Sequence, residues 1–370
     1  MRVLHVIARL NVGGTARYIT RLAQELPKNG IETFIAAGHV QGAEQEDPSA
    51  RDINVIRIPS LGRSFNPIKD HFAHKELVKI VGEVKPDIIH THTFKAGFIG
   101  RSRIKDLNYA AGKKLKFVHT FHGHLFDDPE FSGIKSQVIT AFERRFAMRT
   151  NTLVTVGHQV SVELLEREIG NDDQYVNIPP GVDPLKIPSR SKARENLGLT
   201  GDAKLTVGWI ARVTGVKNPL RALEVAKAVP EAHFLLAGGG DLLESVRAQA
   251  PGNVEVLGWT NAADLFGASD LVLSTSENEG MPIALIEAQI AGIPVVATNV
   301  GSVAEVIEDG VTGFVTKKSV DQIALALRTL IDSQDMRARM SKAATERATE
   351  IFSVDSMIAA HVRLYTSLIN

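Results

Sequence analysis

The sequence predicts an α/β protein made of two parallel-sheet domains. Three observations carry this. Short apolar runs alternate with amphipathic stretches along the chain, the runs are near-continuous and rich in β-branched residues, and one proline-rich interruption separates two rounds of the alternation. In the first round, strands are expected at Val3–Ala8, Glu32–Ala37, Val55–Ile58, Asp87–His90, Phe117–Phe121 and Leu153–Val156. Helical spacing marks Ala16–Leu26, Ile68–Val81, Ser136–Met148 and Val160–Ile169 between them. The pattern stops at Asn177-Ile178-Pro179-Pro180-Gly181-Val182-Asp183-Pro184, where prolines and a glycine can continue neither a helix nor a central strand. In the second round, strands are expected at Leu205–Ala211, His233–Ala237, Val254–Leu257, Leu271–Ser274 and Pro294–Ala297. Helices are expected at Pro219–Val229, Leu242–Ala250, Ile283–Ala291 and Val320–Ile331. Val354–Ile369 carries Ile358, Val362, Leu364, Tyr365 and Leu368 at helical spacing and reads as a terminal amphipathic helix. The expected domains are 1–180 and 191–352, with 181–190 as linker and 353–370 as the terminal helix.

Composition narrows the function classes. The 370 residues carry 42 Lys+Arg and 42 Asp+Glu, so the chain lacks the positive excess of a dedicated nucleic-acid binder. There is no cysteine, which excludes disulfides, thiolate metal sites and cysteine nucleophiles and suits a reducing cytoplasm. The N-terminal apolar run is broken by His5 and Arg9, so no signal peptide is expected, and no run is long enough to span a membrane.

Glycine-bearing turns are the first candidate binding elements. Asn11-Val12-Gly13-Gly14-Thr15 lies between a strand and a helix, where free backbone N–H groups favour an anion. It is not a dinucleotide fingerprint, and the plain alternative is a tight turn. Ala237-Gly238-Gly239-Gly240-Asp241 is a second such turn and lacks the Lys-Ser/Thr of a P-loop. The most informative segment is Glu277-Asn278-Glu279-Gly280-Met281-Pro282-Ile283-Ala284-Leu285-Ile286-Glu287. Gly280 frees the turn and Pro282 suits the first position of a helix. Glu279 then precedes the helix and Glu287 lies within it. The N–H groups attract an anion, whereas the carboxylates suit hydroxyls or a cation. A sugar diphosphate linked to a ribose meets both demands.

Arg212 and Lys217 follow a strand in Gly208-Trp209-Ile210-Ala211-Arg212-Val213-Thr214-Gly215-Val216-Lys217-Asn218. Cations at the carboxyl end of a strand sit where open α/β sheets bind ligands, and a pair can neutralise a leaving diphosphate. Without the glutamate motif they would read as solvated surface charges. Histidines cluster in His90-Thr91-His92 and His119-Thr120-Phe121-His122-Gly123-His124. Residues two apart on a strand share a face, so zinc is weighed. With no His-Glu-x-x-His and no evident third ligand, neutral imidazoles that hydrogen-bond a polar ligand are the preferred reading, and no metal site is expected. No Asp-x-Asp occurs, which argues against sugar transfer through a metal held that way.

In this order the motifs resemble the retaining glycosyltransferases of the family-4 type. The matching pieces are Gly13-Gly14, Thr120-Phe121-His122, Pro180-Gly181-Val182-Asp183, Arg212 with Lys217, and Gly238-Gly239-Gly240. They continue with Glu279 and Glu287 eight apart, Ala291-Gly292-Ile293-Pro294-Val295-Val296-Ala297, Glu305-Val306-Ile307-Glu308-Asp309-Gly310-Val311-Thr312-Gly313-Phe314 and Phe352-Ser353 before Tyr365. The resemblance implies the GT-B fold: two Rossmann-like parallel-sheet domains facing across a cleft, with the last helix crossing back to the first. It implies metal-independent transfer of a sugar, with retention, from a nucleotide diphosphate sugar to a hydroxyl acceptor. No cofactor beyond the donor substrate is implied, and uracil is preferred over guanine. By the match, Glu287 would hold the ribose and Glu279 the hexose hydroxyls. The backbone of Gly280, Met281, Pro282 and Ile283 would hold sugar and phosphates. Arg212 and Lys217 would neutralise the diphosphate, His122 would contact the sugar, and Gly13 and Gly14 would lie near phosphate and acceptor. The departing phosphate oxygen would take the acceptor's proton. A sugar-nucleotide 2-epimerase of the same fold, or a non-catalytic nucleotide-sugar-binding subunit, are the alternatives.

Between Leu61 and Lys116 there are twelve Lys/Arg and five Asp/Glu, although the chain is neutral overall. Phe94, Phe98 and Ile99 followed by Arg101, Arg103 and Lys105 read as a short basic amphipathic segment. A solvated basic face is the plain reading. The sharper one is peripheral docking on the anionic inner face of a membrane, next to a lipid-linked acceptor. Trp259 is expected to be a partly buried core residue rather than the border of a base pocket.

Overall fold

Seven strands form the first sheet, all parallel: β1 (Arg2–Ile7), β2 (Glu32–Ala37), β3 (Val55–Arg57), β4 (Ile88–His92), β5 (Lys116–Phe121), β6 (Thr152–Thr155) and β7 (Tyr175–Asn177). Their spatial order is β3-β2-β1-β4-β5-β6-β7. The second sheet holds β8 (Thr206–Ile210), β9 (His233–Ala237), β10 (Val254–Gly258), β11 (Leu271–Ser274), β12 (Val295–Thr298) and β13 (Gly313–Thr316), in the order β10-β9-β8-β11-β12-β13. Both are the doubly wound parallel arrangement expected from the sequence. In each, the chain reverses its direction of winding beside the first strand, between β1 and β4 and between β8 and β11. Such points open a crevice at the carboxyl ends of the strands. This is a computed structural model of the whole chain, and it describes residues 1–41, 45–62, 64–123, 133–199 and 205–370. His124 and Arg63 lie outside the described residues.

The chain divides into two units. One comprises Met1–Gly181 with Val354–Asn370, and the other Val182–Ser353. In the first, Leu4, Val6, Ile89 and Phe117 from one face of the sheet pack on Ala73, Leu77 and Val81 of the helix Pro67–Val84. In the second, Val207, Trp209, Phe234, Leu236, Leu271 and Leu273 pack on Leu223, Ala226 and Leu327. Residues two apart share a face, and each large apolar side chain so buried contributes about 1.5–3 kcal/mol. The helix Val354–Ile369 belongs to the first unit: the Tyr365 hydroxyl lies 2.6 Å from His90 Nδ1, and Tyr18 Oη lies 3.2 Å from His361 Nε2.

Several elements differ from expectation. β7 and β13 are short and carried no apolar run of their own. The helices Thr93–Ser102, Ile104–Ala111, Ala262–Ala268 and Gln334–Ile351 were not anticipated. The last buries Met340, Ala344 and Ala348, so its inner stripe consists mostly of small residues and its hydrophobic periodicity is faint. Pro282 is the cap of the helix Ile283–Ile290, with ψ 96°, and not its first residue.

Candidate functional site

The second unit brings Lys217 and Glu279 together. The segment after β8 carries Arg212 and Lys217, and the segment after β11 carries Glu277 to Pro282, so both lie at the carboxyl ends that flank the reversal point. Lys217 Nζ donates to Glu279 Oε1 at 2.6 Å, and the Ser276 hydroxyl donates to the same oxygen at 2.6 Å. Both charged side chains are mostly covered. Arg212 is exposed and has no partner among the described residues. Glu287 is buried in the helix Ile283–Ile290, just over one turn from its start, while Glu279 lies in the loop before it. The lysine keeps two further N–H donors and the glutamate keeps Oε2. The pair therefore presents a cation and an acceptor side by side, as a diphosphate next to a sugar hydroxyl requires.

Residues the sequence reading did not single out hold this geometry. The Thr275 hydroxyl receives the Trp209 indole N–H at 3.0 Å and lies 3.1 Å from the carbonyl of Lys217 and 2.9 Å from that of Asn218. Glu277 accepts from Asn218 Nδ2 at 2.7 Å, from Arg221 Nη2 at 2.5 Å and from Lys318 Nζ at 2.9 Å. Desolvation opposes ionisation of Glu277, but these donors outweigh it and hold its carboxyl below the usual range. The backbone N–H of Glu277 also donates to the Val216 carbonyl at 2.7 Å. The Lys217 loop is thus tied to the end of β11 by side chain and backbone. Gly301 has φ +49°, and a Cβ there would sit 1.7 Å from the Glu279 carbonyl oxygen, so glycine is required for the close approach behind Glu279.

The Gly238-Gly239-Gly240 turn is a packing device. A Cβ on Gly238 would meet the Ala211 carbonyl oxygen at 1.9 Å, and one on Gly240 would meet that of Val213 at 2.3 Å. The turn therefore seats the loop that bears Arg212. Trp259 is 69% exposed, which corrects the expectation of a core residue. Its indole lies against Gly239, where a Cβ would come within 2.2 Å of Nε1.

In the first unit, Gly13 caps the helix Gly14–Glu25 with φ 150°, and its N–H donates to Asp47 Oδ2 at 3.3 Å. Tyr18 on that helix packs edge-on against His122, ring centroids 5.0 Å apart. His122, just past β5, is half-buried. His90, His92 and His119 are fully buried, which corrects the expectation that they face a ligand. His90 contacts the hydroxyls of Tyr365 and Thr120, each at 2.6 Å, His119 Nδ1 lies 2.8 Å from Thr91 Oγ1, and His92 bonds His5 and His122. Burial lowers the basicity of all of them, to about 3 for His5 and His122 and about 4 for His361. His5, His90 and His92 bring ring nitrogens within 4.8 Å of one another, a triad that sequence spacing did not reveal. Both nitrogens of His90 and of His92 are already engaged, so an ion there would displace at least one hydrogen bond from each of these two rings.

The basic amphipathic segment is corrected as well. Arg101 is fully buried, and its Nη2 donates to both carboxylate oxygens of Glu143 at 2.9 and 2.8 Å. Lys95 is buried against Asp70 at 2.5 Å, and Ile99 is core. The exposed apolar surface lies elsewhere. Phe98 contacts Phe65 and Phe142 edge-on at 5.3 and 5.4 Å. Ile68 and Phe72 on one helix, and Ile134, Val138 and Phe142 on another, are exposed. No helix among the described residues is long and apolar enough to cross a membrane.

Residues 12–185 match the family model for Glycosyltransferase Family 4, and residues 189–347 match that for glycosyl transferases group 1. The chain is 28% identical over 336 residues to UDP-Gal:alpha-D-GlcNAc-diphosphoundecaprenol alpha-1,3-galactosyltransferase of Escherichia coli, covering 86% of this chain and 84% of that protein. It is 27% identical to D-inositol 3-phosphate glycosyltransferase of Streptomyces scabiei, over 98% of this chain and 88% of the other. Its fold matches HepE of Anabaena, crystallised with UDP and glucose, with TM-score 0.81 and 20% identity over 99% of this chain and all of that one. With a family 4 model over its first half, a group 1 model over its second and two doubly wound parallel sheets, the chain belongs to the GT-B glycosyltransferases of the family-4 type.

Proposed function

We propose that the protein is a retaining, metal-independent hexosyltransferase that moves a sugar from a UDP-sugar to a hydroxyl acceptor in the synthesis of a cell-surface polysaccharide or glycolipid. The observation that carries this reading is the Lys217–Glu279 pair at the reversal point of the second sheet, beside the start of the helix Ile283–Ile290. In this reading Lys217 and Arg212 neutralise the diphosphate as the glycosidic bond breaks. Glu279 accepts from hexose hydroxyls and Glu287 from the ribose. Backbone of Gly280, Met281, Pro282 and Ile283 lines the sugar and phosphates. His122 contacts the sugar, and Gly13 and Gly14 face phosphate and acceptor. The departing phosphate oxygen takes the acceptor's proton on the same face. With two side-chain cations serving the leaving group and no Asp-x-Asp in the chain, a divalent ion is not needed for charge.

The E. coli relative is named for a UDP-sugar donor and a diphosphoundecaprenol-linked acceptor, which supports uracil and a lipid-linked acceptor. The aromatic ridge Phe65–Phe98–Phe142, with the exposed Lys69, Lys75 and Lys135 on its helices and Arg103 at the turn between two of them, supports peripheral docking on an anionic cytoplasmic membrane face.

The test is a panel of UDP-, GDP- and ADP-sugars scored by thermal shift, followed by transfer assays with EDTA present. A donor at 100 times its Kd stabilises by about 2.7 kcal/mol, a clear rise in melting temperature. We expect a UDP-sugar to bind, transfer to survive chelation, and the product to keep the donor's anomeric configuration by NMR. An isomerised free sugar would point to the epimerase, and transfer lost to EDTA and restored by Mn²⁺ would overturn metal independence.

A further inference from the structure

Three histidines form a chain from the core of the first unit to the carboxyl end of β5. His5 Nδ1 and His92 Nε2 are 2.9 Å apart, and His92 Nδ1 and His122 Nε2 are 3.0 Å apart. His5 and His92 are fully buried, and His122 is half-buried at the carboxyl end of β5. Each ring is neutral near pH 7, because burial depresses its basicity. A neutral imidazole has one N–H donor and one lone-pair acceptor. A chain of three linked by two hydrogen bonds therefore has only two self-consistent arrangements: all protons on Nδ1 or all on Nε2.

The far end of the chain selects between them. His5 Nε2 is buried with no hydrogen-bond partner. Apart from His92, its ring neighbours are His90 and Tyr365, with centroids 5.1 and 6.4 Å away, and both the His90 nitrogens and the Tyr365 hydroxyl are engaged with each other or with Thr120. A buried N–H without an acceptor is rarer and costlier than a buried lone pair without a donor. His5 Nε2 is then the lone pair, and His5 carries its proton on Nδ1.

We propose that His5 and His92 are positioning residues that fix His122 as the Nδ1–H tautomer, so that His122 meets its ligand only as a hydrogen-bond donor. Nδ1–H of His5 donates to His92 Nε2, and Nδ1–H of His92 donates to His122 Nε2. The remaining nitrogen of His122, Nδ1, has no partner among the described residues and is a donor. An N–H in that place takes a hydroxyl or phosphate oxygen and cannot remove a proton. His122 is thereby excluded as the base that deprotonates the acceptor. This consequence rests on the glycosyl-transfer reading; the tautomer does not.

The test uses the full chain with ¹⁵N-labelled histidine and no substrate. Long-range ¹H–¹⁵N correlation identifies the tautomer of each ring, with His122 assigned by loss of its signals in His122→Gln. A pyrrole-type Nδ1 and a pyridine-type Nε2 on His122, and likewise on His92 and His5, are expected. The reverse pattern at His122 overturns the proposal. Two variants extend the test. His5→Asn keeps a donor near the position of Nδ1, whereas His5→Leu removes it. With a UDP-sugar donor, His5→Leu should lower kcat by about tenfold, the equivalent of one net hydrogen bond. It should also mix the His122 tautomers, and His5→Asn should recover most of both. Equal behaviour of the two variants in folded protein, judged by circular dichroism, also overturns it. If the tautomers are as stated but no nucleotide sugar is turned over, the transferase reading fails and the chain stands.

Discussion

A lysine and a glutamate 2.6 Å apart decide most of what the second unit can do. Removing the lysine takes away one of two cations available to a leaving diphosphate and leaves the Glu279 carboxylate without its partner. Electrostatic stabilisation of this kind is worth about 3–4 kcal/mol in a shielded site. Lys217→Ala should therefore reduce kcat by a factor of about 100–1,000. The Lys217 loop is held by Thr275 and Glu277, so melting temperature should be nearly unchanged. Steady-state kinetics with circular dichroism checks both, and near-normal turnover would sink the assignment. Both members of the pair are legible in the sequence because their residue types and spacing from glycine and proline are local signals. Thr275, Arg221 and Gly301 were not, since their roles exist only once segments distant in the chain are adjacent. The same holds for His5, which sits 87 residues from the His92 it meets.

Elements tell a similar story through their ends and faces. Apart from β7 and β13, the strands of both sheets were visible because burial on two faces demands continuous apolar runs. Gln334–Ile351 was hidden because alanine fills its inner stripe. The helix Thr93–Ser102 was misread for another reason: its charges looked like a surface, but Lys95 and Arg101 point inward to Asp70 and Glu143. Breaking such a buried pair strands a charge and costs about 3–5 kcal/mol. Arg101→Ala should lower stability by that amount in urea denaturation, far more than Arg103→Ala at its exposed neighbour. The surface suited to a membrane shifts accordingly to Phe65, Ile68, Phe72, Ile134, Val138 and Phe142. In liposome sedimentation at low salt, the wild type should pellet with anionic vesicles and stay free of neutral ones. Ile68→Glu with Phe142→Glu should abolish this, and Arg101 should play no part. Indifference to anionic vesicles at low salt would make a soluble acceptor the better reading.

On the scale of the whole molecule, the unequal placement of buried histidines sets how the protein responds to acid. His5, His90, His92, His119, His122 and His361 all lie in the first unit, all with basicity lowered chiefly by desolvation. The second unit's His233 is partly exposed beside Glu255. Above pH 6.5 the six are neutral both folded and unfolded, and stability is indifferent to them. Below it the unfolded chain takes up protons that the folded one refuses, so each histidine removes about 1.4 kcal/mol per pH unit until its folded pKa is reached. That point is about 4 for His361 and about 3 for His5 and His122. With six such groups in one unit, the loss at pH 5.5 is a sizeable share of the stability of an ordinary domain. The first unit should thus lose structure between pH 6.5 and about 5. Hydrogen exchange read by mass spectrometry at pH 7.5, 6.5, 6.0 and 5.5, corrected for intrinsic rates, resolves the two sheets. Peptides from β1, β4 and β5 should lose protection as the pH falls, while those from β8 and β11 keep theirs. Protection in β1 and β4 that persists to pH 5 would show that these imidazoles are either charged or open to water, and the polarised chain from His5 to His122 would fall with them.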